Sequence, residues 1–523
     1  MTSRHALTGL RADGAYVHRL EGLPSRSAVE LLAVGGGQRV CREPGAAQEV
    51  VRLCGYIPLA VGLASAQLAV RPHRSVSALA ESLSQGRGAI GTLRVDGEAV
   101  IQKAMDLSYH LLPAAAALLY RRMGLLPTDR YDPFMLTAIA GDQHAPDDGH
   151  TTDATVQTLL EAHLLEEVGP ATYRLHDLLL PHARRLGEEQ EDPGRRRGTL
   201  RGFVDWCLAT AADAERILSP SHRLPGHDVP GTTAAPTPLA GPAEALAWLD
   251  THRHTIMGAI RTCARAGWHT SCWRLTDLAW PLFLRLRPTD LWIEAHRLGL
   301  DAARASGSRP GEGRMLTSGA IGLRNAGRYA EAGDWYRQAL AMALSDGDVR
   351  QQSQAISGLG HLCLLTHRLD EAREHFEHVL RLRESIGYRR GAALTRRRLA
   401  ETAVEAGDLA TAADYLRQAQ DALRSLGETY EEARVQAELG HVLVSGGDHE
   451  SGVRGLREAL GRFRSGEAAS EHWEGRCLRW LGLAAESRGD RTEAADHYAA
   501  ALALFQRIDP LEAERLADRL RAL

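Results

Sequence analysis

Apolar and polar residues recur with helical spacing along most of the chain, and most regularly in its second half. Segments beginning at Gly327 (GRYAEAGDWYRQAL), His367 (HRLDEAREHFEHVL), Gly407 (GDLATAADYLRQAQ), Gly447 (GDHESGVRGLREAL) and Gly489 (GDRTEAADHYAAAL) follow one another at steps of 40, 40, 40 and 42 residues. A fixed period in that range predicts a helical solenoid. Small residues recur on a first helix at Ala320, Gly360, Ala400, Gly440 and Gly482. A second helix repeats Ala332, Ala372, Ala412, Gly452 and Ala494, and four residues on stand Tyr336, Phe376, Leu416, Leu456 and Tyr498. Small positions let two helices approach closely, and the bulky position fills the gap between repeats.

Upstream, SRSAVELLAV predicts a helix with Ser25 or Ser27 as its N-cap, after a short strand in AYVHRLEGL. Between 44 and 85 the pattern predicts two helices parted by Gly55 and Pro58, then a third capped by Ser75. EAVIQKAMDLSYHLLP, AAAALLYRRMGLLP and DPFMLTAIAG read as helices. They lead to ATVQTLLEAHLLEEVG and a hairpin turning at Gly169-Pro170, a winged-helix order of elements. Residues 219–243 hold six prolines and read as a loop. The segments EALAWLDTHRHTIMGAIRTCARAG, WHTSCWRLTDLAWPLFLRL and DLWIEAHRLGLDAARASG each read as one helix, and Trp248, Trp268, Trp273, Trp280 and Trp292 among them read as core.

Composition narrows the chemistry. The net charge of −4 gives no basic footprint for nucleic acid or an anionic membrane. Lys103 is the sole lysine, so a P-loop or Schiff-base lysine is all but excluded. The seven cysteines are scattered, without C-x-x-C, and read as buried thiols in a reducing compartment. Neither a secretory leader pattern nor an apolar run of membrane-spanning length is present, so a soluble cytoplasmic protein is expected. Histidine pairs such as His252/His254 and His375/His378 lack supporting ligand spacing, so no metal is expected.

The recurring L-G, A, F/Y, A positions resemble the tetratricopeptide pattern, with Gly360, Gly440 and Gly482 on first helices. On second helices, Ala332, Tyr336, Ala372, Phe376, Ala412, Ala494 and Tyr498 carry the packing. Upstream, LCGYIPLAVGLA (53–64) resembles the G-L-P-L motif of NB-ARC, or STAND, regulators. YRLHDLLLPHARRL (173–186) resembles their M-H-D motif, and TSRHALTGL (2–10) their sensor-1 strand end. In this order the chain resembles bacterial regulators of the antibiotic-regulatory type.

The resemblance implies a mainly α fold: a helical domain and a winged-helix module followed by a tetratricopeptide α-solenoid. It divides the chain into a nucleotide-domain remnant (1–40), a helical subdomain (41–97), a winged-helix subdomain (98–190), a helical spacer (191–310) and the repeat array (311–523). It implies that Arg4 approaches the γ-phosphate of ATP, Pro58 packs on adenine and His176 contacts the β-phosphate of ADP. Read as residues, Arg4 is also a solvated position near a terminus, Pro58 a helix start, and His176 with Asp177 a helix cap. The sequence contains neither G-x-x-x-x-G-K-[S/T] nor a strand ending in acidic residues. The resemblance therefore implies a member lacking its Walker A and Walker B segments, through truncation or a late start, and no ATP hydrolysis. ADP or ATP is the implied cofactor where the missing segment is supplied. The expected function is a signalling regulator whose array binds a protein, peptide or ligand on its concave face, lined by the first helices; a nucleotide-independent scaffold is the alternative. DNA binding by this chain alone is not expected, and a homo-oligomer stays open.

Overall fold

A computed structural model describes residues 22–56, 58–84, 109–110, 112–141, 152–162, 164–176, 179–219, 234–464 and 468–523. Arg4, Lys103, Asp177 and the strand expected near residue 16 lie outside the described residues. The fold is mainly α, and the chain forms two compact units with a boundary between Trp206 and Cys207; Thr232–Thr237 belong to the first.

The first unit opens with five helices: α1 (Ser25–Gly36), α2 (Gln38–Arg42), α3 (Pro44–Leu53), α4 (Pro58–Val70) and α5 (Val76–Ser84). Neither Ser25 nor Ser27 caps α1. Pro24, fixed at φ −52° and ψ 142°, is the N-cap and supplies only its carbonyl, which accepts from Ala28 N–H. Ser75 does cap α5, its Oγ accepting from Ala78 N–H at 3.1 Å. The Glu43 carboxylate takes the Val76 and Ser77 N–H groups, and its pKa is lowered by them, Ser77 foremost. Helices α1 and α4 touch backbone to backbone at Gly35, where a Cβ would fall 2.0 Å from the Ser65 carbonyl oxygen.

The same unit continues with α6 (Ala114–Gly124), β1 (Arg130–Tyr131), α7 (Pro133–Ala140), α8 (Thr152–Glu161), β2 (Glu166–Gly169), β3 (Thr172–Arg174) and α9 (Leu179–Gln190). The β2–β3 hairpin turns at Pro170-Ala171, and β1 adds to β3 as a third antiparallel strand. Asp132 caps α7 by accepting from Phe134 and Met135 N–H.

Helix α10 (Pro193–Leu218) carries the chain into the second unit. Each of the next two predicted helices is broken in two. The first divides into α11 (Pro242–Thr251) and α12 (Arg253–Ala266) at His252, whose Nδ1 lies 3.0 Å from the Trp248 carbonyl oxygen. The second divides at Ala279 into α13 (His269–Leu278) and α14 (Trp280–Leu286). Pro281 has no N–H for a continuous ladder and stands in the first turn of α14. Helix α15 (Thr289–Ala305) follows unbroken. Trp248, Trp273 and Trp292 are buried, whereas Trp268 and Trp280 are partly exposed. Six cysteines are buried and Cys41 is exposed.

Helix pairs then repeat: α16 (Arg309–Asn325) with α17 (Tyr329–Asp346), α18 (Val349–Leu365) with α19 (Leu369–Ser385), α20 (Arg389–Glu405) with α21 (Leu409–Ser425), α22 (Thr429–Ser445) with α23 (His449–Arg464), α24 (Glu471–Ser487) with α25 (Arg491–Ile508), and finally α26 (Pro510–Ala522). The joints are compact because two adjacent residues do both jobs. In Gly347-Asp348, Gly407-Asp408, Gly447-Asp448 and Gly489-Asp490 the glycine takes a positive φ of 67–93° and ends one helix. The aspartate caps the next, accepting from the N–H three residues on. His367 holds the same left-handed conformation (φ 55°) without being glycine. Within a pair, first-helix glycines receive second-helix bulk. A Cβ at Gly482 would meet the Tyr498 ring at 2.4 Å, one at Gly360 would meet His375 Cβ at 2.9 Å and the Phe376 ring at 3.1 Å, and one at Gly440 would meet the Gly452 carbonyl at 2.8 Å. Ala332, Tyr336, Ala372, Phe376, Ala412, Ala494 and Tyr498 are all buried.

Candidate functional site

Two of the three residues expected at a nucleotide are described. Pro58 is exposed at the first position of α4. His176 lies just before α9, and its ring sits against Gly55, where a Cβ would fall 2.0 Å from His176 Cε1. Gly55 (φ 60°) and Tyr56 (φ 57°) form a left-handed corner that only a residue without a side chain opens to the imidazole. The G-L-P-L-like and M-H-D-like segments thus meet within the first unit.

A concavity lies in the second unit, on the inner side of the array. It is a cavity of about 480 Å³ lined by the first helices α16, α18, α20, α22 and α24 together with α13, α14 and α15. Successive repeats place Arg314, Gln354, Leu394, Arg434 and Arg476 at equivalent positions of its wall. The cavity closes on itself. Arg287, held at φ 54° at the end of α14, brings Nη1 to 2.8 Å from Nε2 of His472 on α24. Beside it, the Arg285 guanidinium covers the Tyr430 ring at 3.7 Å, and Leu284 packs on the apolar core of the last repeats. Burial and the surrounding arginines, Arg287 first, keep His472 well below its ordinary pKa, so the neutral imidazole accepts from Arg287.

Its charge is one-sided. Ten arginines line the cavity against four carboxylates, and Glu428 and Glu438 neutralise two of those arginines from behind the wall, which leaves an excess of four positive charges. Some arginines are neutralised at short range. Arg397 meets both oxygens of Glu438 at 2.8 and 2.9 Å, Arg390 meets Glu428 at 3.0 Å, and Arg434 and Arg398 pair with Glu431 and Glu401. Burial pulls Arg397 down, but Glu438 and Glu401 more than offset it and its pKa is raised. Glu401 is held at about 2: burial pushes it up, and Arg398 and Arg397 outweigh that.

Arg287, Arg324, Arg350, Arg383 and Arg476 have no carboxylate within ion-pair distance among the described residues. Arg383 is held by Ser353 Oγ, Thr395 Oγ1 and the Gly391 carbonyl, and Arg350 lies 4.2 Å above the Tyr388 ring. Arg476 lies against both Trp473 and Trp480, 4.5 and 4.6 Å from their ring centroids. Burial first, and then neighbouring arginines, push Arg383 and Arg476 down to about 10. His361, hemmed in by Arg324 and Arg398, is likewise kept neutral by burial and those charges. The Tyr336 hydroxyl is buried at the same wall, beside Arg324.

Similarity to known proteins agrees with the repeats. A tetratricopeptide repeat model matches residues 312–385 and 351–425. The regulatory protein AfsR of Streptomyces griseus is 28% identical over 510 residues, covering 97% of this chain and 50% of that protein. AfsR of Streptomyces coelicolor is 30% identical over 442 residues, covering 82% of this chain and 43% of that one. This chain is a homologue of the AfsR regulatory proteins. It spans about half the length of these AfsR relatives. Among solved structures, the STAND protein PH0952 of Pyrococcus horikoshii, with a tetratricopeptide repeat sensor, is 12% identical with a TM-score of 0.36, over 96% of this chain and 74% of that one. A Rap protein complexed with Competence and Sporulation Factor is 12% identical with a TM-score of 0.37, over 62% of this chain and 95% of that one. Among the described residues of this AfsR homologue, no helix is long and apolar enough to cross a membrane.

The arginine lining is what sequence reasoning missed. Net charge over the whole chain concealed it, yet its signal is present: Arg314, Arg434 and Arg476 recur at one repeat position, and Arg390, Arg397 and Glu401 share one helical stripe.

Proposed function

We propose that the chain is the sensing part of a non-enzymatic regulator. Its tetratricopeptide array takes a protein, peptide or small-ligand partner on its inner face, and the state of the array is read by helical and winged-helix modules that once formed an ADP/ATP switch. The concave cavity built from the first helices of five consecutive repeats carries this reading. The His176 ring seated on Gly55 supports the switch, since both belong to segments that resemble nucleotide-contacting motifs.

The test is to fill the cavity without disturbing repeat packing. Ser357 lines it at the position Arg397 holds in the next repeat, so a large side chain is compatible with the helix pair. A host strain carrying Ser357→Trp is expected to show the transcript profile of a deletion strain while the purified variant melts like the parent. A wild-type profile would remove the inner face from the function. For the switch, millimolar ADP should raise the melting temperature of the chain by mass action, and His176→Ala should abolish the rise. Equal melting with and without ADP selects the nucleotide-independent scaffold.

A further inference from the structure

We infer that the occupant of this cavity is a compact small molecule bearing two or more phosphoryl groups. The inference rests on the reading that the array takes its partner on the inner face, and it names that partner's chemistry.

Three observations on the array converge. First, the cavity is closed in the round by Arg287 on His472 and by Leu284 and Arg285 on the last repeats, and at about 480 Å³ it matches a small ligand. A folded domain does not enter such a space. Second, five guanidiniums from α14, α16, α18, α19 and α24 reach it without a carboxylate partner. Leaving buried charge unpaired is costly, so a wall that keeps it is suited to a counter-charge supplied from outside. Third, the excess is large for the volume. A carboxylate brings one negative charge, whereas a phosphoryl group brings about 1.5 to 2 with three acceptor oxygens. Guanidinium forks match those oxygens in pairs. The Tyr336 hydroxyl adds a neutral donor at the same wall.

The probe is inorganic triphosphate, which carries the charge without a base and so avoids confusion with a nucleotide site in the first unit. Calorimetric titration of the whole chain should give one site per molecule, weakened by salt. Arg324→Gln and Arg350→Gln should each lower its affinity at least tenfold. Arg417→Gln, exposed on α21 and paired with Asp414, should change it less than twofold. Citrate and hexaglutamate at equal ionic strength should bind at least tenfold more weakly. No binding of triphosphate, or binding indifferent to Arg324 and Arg350, overturns the inference. So does tighter binding of citrate or hexaglutamate, which would make the occupant a carboxylate ligand or an acidic peptide. If any of these occurs while Ser357→Trp still mimics a deletion, the phosphorylated ligand falls and the inner-face reading stands. If Ser357→Trp behaves as wild type, the inner-face reading itself falls.

Discussion

The array uses arginine in two ways, and the contrast follows the two faces of its wall. On the exposed faces of second helices, arginines bring a counter-charge one turn away: Arg337 with Asp334 at 2.5 Å, Arg373 with Asp370 at 2.8 Å, Arg417 with Asp414 at 2.9 Å. Such pairs are solvated and individually worth little. On the inner helices about half of the arginines find a carboxylate and the rest do not. Outside, charge keeps the surface soluble; inside, charge is held ready for something the chain does not itself provide.

The strongest way to break this comparison is to convert a neutralised inner arginine into an unneutralised one. Glu438→Ala strips Arg397 of its bidentate partner in a buried setting and should cost about 3–5 kcal/mol in urea unfolding. A loss below about 1 kcal/mol would mean that the inner wall is as forgiving as the outer.

Next in size is an acid effect. His296 is buried on α15 against Phe283, its pKa pushed down to about 4 by burial. Because the folded value lies below the unfolded 6.5, the unfolded chain takes the proton first. The stabilisation is complete above pH 6.5 and is lost as pH falls toward 4, amounting to roughly 3 kcal/mol. Denaturation midpoints across that window should flatten in His296→Gln.

Removing an unpaired inner charge should act in the opposite direction. Arg324 lowers the pKa of Arg398 and depresses His361 by like-charge repulsion, so Arg324→Gln should stabilise the ligand-free chain by on the order of 1 kcal/mol. Arg417→Gln, the outer counterpart, should destabilise by at most about 0.5 kcal/mol. Melting curves in low salt distinguish the two signs. The smallest effect belongs to the turn joining an inner helix to an outer one. His367→Gly relieves a left-handed backbone that costs about 1 kcal/mol or more, part of which glycine returns as entropy, so a gain of a few tenths is expected by the same melts.

How far these features were legible depends on how local their causes are. The solenoid was readable because its period and its small–large alternation are set within one pair of helices, as Gly482 under Tyr498 illustrates. The joints have an equally local cause, a glycine followed by a capping aspartate acting within four residues, which the period alone did not bring out. The breaks at His252 and Ala279 were not readable, because apolar periodicity runs through both and only Pro281 hinted at one of them. The cavity was least legible. Its lining requires knowing which helical stripe faces inward and that α14 comes round to meet α24, a contact between residues 185 apart.

That contact changes what the array is as a mechanical object. Repeat proteins ordinarily behave as springs with two free ends, and each repeat answers to its neighbours. Here the Arg287–His472 clasp ties α14 to α24, so a strain in one repeat is felt across the hoop as well as by its neighbours.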